Sequence, residues 1–398
     1  MTSDRSGILA INGGSSSIRF AVYRGGAALR RGAHGKIERI GLDGTTLSIE
    51  DPADAAPARP IAIASDRTSA VIALVERLAA HPGFADLVGI GHRVVHGMAH
   101  AEPELVSDAL LDELRRLTPY DPEHLPLEIE LIAVLRQRFA ALPQVACFDT
   151  AFHRTMPRVA SQLAIPRRYE AQGLRRYGFH GLSCTYLMEE LLRLGDAAAT
   201  RGRVVLAHLG NGASLTAVRD GRSVDTSMGF TPASGIPMST RAGDLDPGVV
   251  SHLWRTEQMT PGEFDRMANH ASGLLGLSET SSDLRDLLAV EAADVRAAEA
   301  VALFCYQAKK SIGACAAALG GLDTLVFAGG IGENAPTIRA RICEGLGFLG
   351  VEIDGTRNAS NAGLVSSDAA GVHVRVIRTD EELMIARCVV RTLPAETF

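Results

Sequence analysis

The chain of 398 residues is long enough for two domains, and 46% hydrophobic against 22% charged residues describes a globular protein able to bury a core. A formal net charge of −6 argues against a nucleic-acid binder, which needs a basic face. Six scattered cysteines without a CxxC pair read as buried thiols of a reducing compartment, and no run reaches the roughly 18 apolar residues of a membrane helix, so a cytoplasmic protein with no membrane partner is expected.

Ile8–Tyr23 (ILAINGGSSSIRFAVY) predicts a hairpin: a β-rich run enters a turn of Gly, Ser and Asn, and a second run leaves it. Such a tip exposes backbone N–H and hydroxyl donors to an approaching oxyanion. The pattern returns in LAHLGNGASLTAV, where a displacement of 197 pairs Leu9 with Leu206, Gly13 with Gly210, Ser17 with Ser214 and Ile18 with Leu215. Repetition at half-chain spacing predicts two related domains.

Gly41 to Arg67, rich in Asp, Ala, Pro and Gly, reads as a surface hairpin and loop. Val71, Ile72, Leu74, Val75 and Leu78 then recur at helical spacing behind Ser65 or Asp66 as a cap. A strand from Leu87 to Ile90 runs into GHRVVHG, which would put Arg93 in the following loop. An amphipathic helix from Ser107 stops at the irregular TPYDPEHLP; a helix Leu125 to Phe139 and a strand Gln144 to Phe148 lead to Asp149. This alternation predicts an α/β layer.

The second domain begins near Ala151 and passes through YGFHG, a helix opened by Ser183, and the second hairpin. Thr226 to Gly248 holds too many Gly, Pro and Ser for regular structure, and long loops of this kind carry function. A long Ala-rich helix, about 292–319, ends at Gly320–Gly321. The strand Thr324 to Phe327 enters GGIGEN and a helix, a unit suited to a nucleotide. After a strand from Val372 to Ile377, TDEELMIAR opens a last helix with an acidic first turn, favourable to its dipole.

Several polar groups could do chemistry. Asn12, Ser15, Ser17 and Arg19 occupy the first hairpin. Arg93 and Arg241 offer guanidinium forks for carboxylate or phosphate, or simply ion pairs. His180 precedes a helix start, where it could donate to an anion or serve structure. Asp149 closes a strand, the usual end for functional residues in an α/β sheet, though a turn would explain it equally. HLGNG and GGIGEN are Gly loops after strands, SSDLR could contact a base or ribose, and the absence of GxxxxGK[ST] excludes a P-loop fold. Glu381 and Glu382 could approach a divalent cation through water or act as caps.

Taken in order, INGGSSSIRF, GHRVVHG, FDTAFH, YGFHG, HLGNGAS, DTSMGFTPASGIPMSTRAGDLDPG, SSDLRD, GGIGEN and TDEELMIAR resemble the acetate and propionate kinase family over essentially the full length. The resemblance implies an α/β fold of two duplicated actin-like (ribonuclease H-like) domains flanking a nucleotide cleft, residues 1–150 completed by 380–398, and 151–379. It implies ATP-dependent, reversible phosphorylation of a short carboxylate, acetate first, to an acyl phosphate, with Mg²⁺ or Mn²⁺, in a homodimer. By motif match Asn12 and Glu381 would hold the metal. Arg93, Val95, Phe179 and Pro232 would bind substrate, and Asp149, His180 and Arg241 would be catalytic. Arg19, His208, Leu209, Gly210, Asn211, Gly212, Asp283, Leu284, Arg285, Gly330, Ile331, Gly332, Glu333 and Asn334 would bind the nucleotide.

That inventory suits phosphoryl transfer, which needs cations around the equatorial oxygens more than covalent help. A carboxylate acceptor is already ionised at neutral pH and needs no general base, so Asp149 is expected to orient His180, an Arg or the metal shell. Three positions depart from the family: Arg19 replaces a usual Lys, Met98 a usual Gly, and TPYDPEHLP stands where members read close to APLHNP. Tyr120 then falls at the usual Leu and Asp121 at the usual His, a negative charge that repels both substrates unless paired, with His124 as a possible replacement. These changes leave open a longer or polar carboxylate, a sugar or polyol kinase with Asp149 as base, or a catalytically weakened nucleotide-binding relative.

Overall fold

Each half of the chain builds a sheet around its hairpin. The computed structural model describes residues 7–14, 17–25, 28–41, 43–52, 59–84 and 86–397; Ser15, and part of the loop expected between Gly41 and Arg67, lie outside them. The chain divides into two units, Met1–Ala151 with Asp380–Phe398, and Phe152–Thr379.

In the first unit the strands are β1 (Gly7–Gly13), β2 (Ser17–Arg24), β3 (Arg30–Glu38), β4 (Thr46–Glu50), β5 (Ile61–Ala62), β6 (Leu87–Val94), β7 (Glu104–Leu105) and β8 (Gln144–Phe148). They lie in the order β5-β4-β3-β2-β1-β6-β8-β7. The second unit has β9 (Arg203–Leu209), β10 (Ala213–Arg219), β11 (Arg222–Thr226), β12 (Thr324–Ala328) and β13 (His373–Val376), in the order β11-β10-β9-β12-β13. β3-β2-β1-β6-β8 repeats this plan: an antiparallel meander, then two parallel strands. Parallel neighbours require crossovers, and helices supply them.

The hairpins close at different registers. Asn12 pairs with Arg19, but the positions 197 further on, Leu209 and Thr216, do not pair: Leu209 faces Ala213 and Thr216 faces Leu206. Only Gly210, Asn211 and Gly212 separate β9 from β10. The repeat is therefore one of topology and tip chemistry, and the ungapped alignment fails along the returning strand.

Helix Arg67–Ala80, capped by Asp66 through the Ser69 N–H (2.9 Å), covers the first sheet with Ala70, Val71, Leu74, Val75 and Leu78. Helix Leu125–Arg138 adds Leu127, Leu131 and Leu135 to the same core, whose sheet side includes Leu9, Ile11, Phe20 and Val22. Each large aliphatic side chain buried here contributes roughly 1.5–3 kcal/mol. Helix Glu381–Thr392 packs on β1 and β6. A Cβ on Gly91 would stand 2.4 Å from Ile385 Cγ2, and one on Gly89 2.9 Å from Leu393 Cδ1, so those glycines let the helix approach. β6 runs on to Val94 because β8 stays paired beside it, Arg93 with Cys147 and Val94 with Phe148, and Arg93 lies within the strand, not in a loop after it.

In the second unit, helix Val295–Leu319 starts at Asp294, ends at Gly320 (φ 70°) and packs on β9 and β10. Helix Gly181–Arg193 packs Cys184, Leu187, Met188 and Leu191 on Val204, Leu206, Val218 and Val326. It opens at Gly181, two residues before the expected Ser183, with His180 in the capping position. The six cysteines are buried and unbridged. Among the described residues no helix is long and apolar enough to cross a membrane.

Candidate active site

In the first unit, polar groups gather at the ends of β1, β6 and β8. Asp149, fully buried just beyond β8, accepts Arg93 Nη2 (2.7 Å) and Nε (3.1 Å) on one oxygen, while Arg93 Nη1 reaches the Gly13 carbonyl at 3.1 Å. Burial opposes the Arg93 charge, but Asp149, then Glu381 and Glu128, more than offset it and hold the guanidinium above its usual range. Arg93 is thus one of the partners expected for Asp149.

Asn12, buried at the end of β1, donates its amide to Glu381 Oε2 (2.8 Å) and Glu382 Oε1 (3.0 Å). Asp380 caps the last helix through the Leu383 N–H (2.8 Å) and accepts the Tyr23 hydroxyl at 2.7 Å. Burial, and then the Glu381 charge, push the Glu382 carboxyl above its ordinary range, with Asn12 and Arg19 pulling the other way. Arg19 is exposed on β2 opposite Asn12. Among the described residues no three His, Cys, Asp or Glu side chains form a ready cage for a metal. An acidic pair beside an amide instead fits a hard divalent ion that keeps several waters and takes one or two carboxylates.

The departing loop is also resolved. Asp121, 2% exposed, accepts His124 Nδ1 (2.8 Å) and the His124 N–H (3.3 Å). Burial raises the Asp121 carboxyl, but His124 and then His96 outweigh it and hold it below the usual carboxylate range. His124 is thus a hydrogen-bond partner of Asp121 through both its ring and its backbone N–H. Met98, expected from the resemblance to replace a glycine, has φ 48°, the left-handed region where glycine is favoured.

Glu128 escaped sequence reasoning because it sits on a helix otherwise read as core. Its Oε2 holds the Val95 N–H at 3.0 Å, and burial pushes its carboxyl up to about 8, against the pull of Arg93 and the Val95 N–H. Val95 itself is 1% exposed and offers this neighbourhood its backbone.

In the second unit, His180 and Arg241 converge on the β9–β10 tip. A Cβ on Gly212 would lie 3.2 Å from His180 Nε2 and 3.6 Å from Arg241 Nη1. His180 has φ 58°, shares a 2.9 Å hydrogen bond with Ser214 Oγ through Nδ1, and stacks on His208 with ring centroids 4.2 Å apart. His208 Nδ1 in turn meets Ser183 Oγ at 2.8 Å. Arg241 Nη1 donates to the Pro232 carbonyl at 3.3 Å. Phe179 is 1% exposed, and its carbonyl accepts His153 Nε2 at 2.8 Å, a positioning contact that the FDTAFH motif contained without revealing.

The Gly loops of this unit also meet. A Cβ on Gly210 would lie 3.9 Å from both Gly330 N and His208 Nε2. GGIGEN is not a loop before a helix: Gly329–Asn334 is itself a short helix directly after β12. Glu333 Oε1 accepts the Gly329 N–H (3.0 Å) and the Thr379 N–H (3.2 Å), and Asn334 Nδ2 donates to the Gly330 carbonyl (2.9 Å). Gly330 and Asn334 are exposed and Ile331 half-buried, whereas Gly332 is buried.

Arg339, fully buried, binds the Gly332 and Glu333 carbonyls (2.8 and 3.1 Å) and Asn358 and Asn361. It reads in sequence as one more helix arginine. Asn211 is exposed at the tip, with its carbonyl accepting the Ser239 N–H at 3.3 Å. Leu209 and Leu284, 0% and 4% exposed, place their side chains in the core. Asp283 caps helix Leu284–Val290 and pairs with the exposed Arg285 (Nη2–Oδ2 2.5 Å).

The model of the Acetokinase family matches residues 7–387. An acetate kinase from Methylocella silvestris is 43% identical over 96% of both chains. A propionate kinase from Citrobacter rodentium is 43% identical over 98% of both. The crystal structure of a propionate kinase from Francisella tularensis superposes with a TM-score of 0.90 at 34% identity, covering 98% of this chain and all of that one.

Proposed function

Because the chain belongs to the acetokinase family, we propose that it moves the γ-phosphoryl group of ATP onto a short-chain carboxylate, reversibly, giving an acyl phosphate and ADP. The observation that carries this reading is the convergence of His180 Nε2 and Arg241 Nη1 on Gly212. Two donors over a tip without a side chain leave room for a phosphoryl group and supply positive charge where its equatorial oxygens gather charge.

A carboxylate oxygen forms the new bond to phosphorus as the bond to the β-phosphate oxygen breaks, and ADP leaves with that electron pair. No proton moves, so no base is needed. Arg93 takes the acceptor carboxylate, and Asp149 fixes the guanidinium plane from one side while Gly13 holds it from the other. The β9–β10 tip and the helix Gly329–Asn334 serve the nucleotide phosphates, with Asp283 and Arg285 toward the nucleoside. Arg19 adds charge to the phosphates as a fork where a lysine would be a point.

Asn12 and Glu381, with Glu382 behind them, would hold Mg²⁺ or Mn²⁺, which when bound supplies charge neutralisation to phosphate oxygens. The hydrogen bonding of Asp121 to His124 supports an active kinase over a weakened relative. Family resemblance favours a cytoplasmic homodimer, and acetate and propionate are both candidate acceptors. A hydroxamate trap with ATP tests the reading: carboxylic acids should give acyl hydroxamates, whereas ATP consumption with sugars or polyols alone would overturn it.

A further inference from the structure

This inference rests on the carboxylate-kinase reading and concerns which carboxylate. Two buried carboxylate oxygens of the first unit have no hydrogen-bond partner among the described residues, Asp121 Oδ2 and Glu128 Oε1, and Glu128 acts on Arg93. The residues are 2% and 3% exposed. In each the other oxygen is engaged: Asp121 Oδ1 by His124, Glu128 Oε2 by the Val95 N–H. A buried polar atom left unpaired costs about 1–3 kcal/mol, more when charged, and calls for an explanation at each site. These two stand seven residues apart across one helix start, and Asp121 and Arg93 both contribute to the field at Glu128.

The two oxygens differ in kind. Glu128, pushed up to about 8 chiefly by burial, is a carboxylic acid at neutral pH and has a proton to donate. Asp121, held below its usual range by His124 and His96 against the effect of burial, is an ionised acceptor. A hydroxyl accepts one hydrogen bond and donates another, so it suits both partners, and a methyl or methylene suits neither.

We infer that the acid phosphorylated by this chain carries a hydroxyl on its carbon chain, which donates to Asp121 Oδ2 and lies against Glu128 Oε1 while Arg93 holds the carboxylate. A site built to bind a hydroxyl rejects the analogue that lacks it far more strongly than an apolar pocket rejects an added one.

The test compares matched acids with the purified full chain, ATP and a divalent cation, following acyl hydroxamate: acetate against glycolate, propionate against lactate and 3-hydroxypropionate, butyrate against 3-hydroxybutyrate. In at least one pair the hydroxy acid should exceed its parent in kcat/KM by about tenfold or more. Asp121→Leu should bring that ratio to about one, and Asp121→Asn, which keeps the shape, should lower it. Thermal melting with and without ATP establishes that each variant is folded, and the Asn variant decides if the Leu variant is not. Parent acids used as well or better in every pair would overturn the inference and leave the kinase reading intact, an ordered water then satisfying both oxygens. No hydroxamate from any acid, with ATP still bound, would remove the kinase reading and the inference with it.

Discussion

Replacing Arg339 by Met should cost the second unit several kcal/mol and loosen its nucleotide loop. The reason lies in the short helix Gly329–Asn334, whose last carbonyls have few partners of their own. Asn334 Nδ2 serves Gly330 and the Ala335 N–H serves Ile331, which leaves Gly332 and Glu333 to Arg339. The same guanidinium binds the Asn358 side chain and carbonyl (both 2.8 Å) and Asn361 Oδ1 (2.6 Å).

Methionine fills similar volume but offers none of these donors. Three buried acceptors and two partly buried ones would then lose a charge-assisted bond. Such bonds contribute about 1.5–3 kcal/mol each and are not additive, so a loss on the order of 3–5 kcal/mol is expected. At roughly 2–4 °C per kcal/mol for a unit of this length, the melting temperature should fall by about 6–20 °C. Calorimetry of the full chain, with ATP titrated into both proteins, reads the stability and the nucleotide affinity together. Arg339→Lys should recover part of the loss, since one ammonium cannot reach acceptors on opposite sides. A cost below about 1 kcal/mol with unchanged ATP affinity would refute the idea that this arginine holds the loop.

Asp149→Asn should lower kcat roughly 100-fold, the scale of one lost electrostatic contact in a transition state, with ATP affinity nearly unchanged, as measured by steady-state kinetics beside equilibrium binding. Gly212→Ala puts a methyl 3.2 Å from His180 Nε2 and should lower kcat about tenfold or more with little change in melting temperature, whereas undiminished turnover would show that the tip needs no clearance. The raised Glu128 pKa means that the folded state keeps a proton which the unfolded state releases. Its contribution to stability is full below about pH 4.5 and declines until pH passes about 8. Arg93, Asp121 and Asp149 are the charged groups acting on it, and Glu128→Gln should flatten that decline in urea titrations from pH 5 to 9.

Where side-chain periodicity and turn chemistry agree, the fold was legible in the residues. The helix capped by Asp66, the strand Gln144–Phe148 and the acidic start of the last helix stand where they were expected. Arg93 was misplaced because two glycines interrupt the apolar alternation of β6, and only packing against Ile385 and Leu393 explains them. The hairpin repeat was visible in composition, but its register is set by cross-strand pairing that an ungapped alignment cannot see. Glu128, His153 and Arg339 act through partners outside their own elements, the Val95 N–H, the Phe179 carbonyl, and for Arg339 the end of a neighbouring short helix with Asn358 and Asn361. No local pattern encodes such partnerships. Conversely the Asp121 departure was plain in the sequence, and its meaning depended on His124 lying 2.8 Å away.

The central claim is that an oxygen of the acceptor carboxylate itself attacks the γ-phosphorus. It is tested most directly by supplying a carboxylic acid labelled with ¹⁸O in both carboxyl oxygens, trapping the product with hydroxylamine, and measuring the released phosphate by ³¹P NMR. Hydroxylamine attacks the acyl carbon, so the bridging oxygen departs with phosphorus: the account gives phosphate carrying one ¹⁸O for each hydroxamate formed. Unlabelled phosphate accompanying the hydroxamate would contradict it.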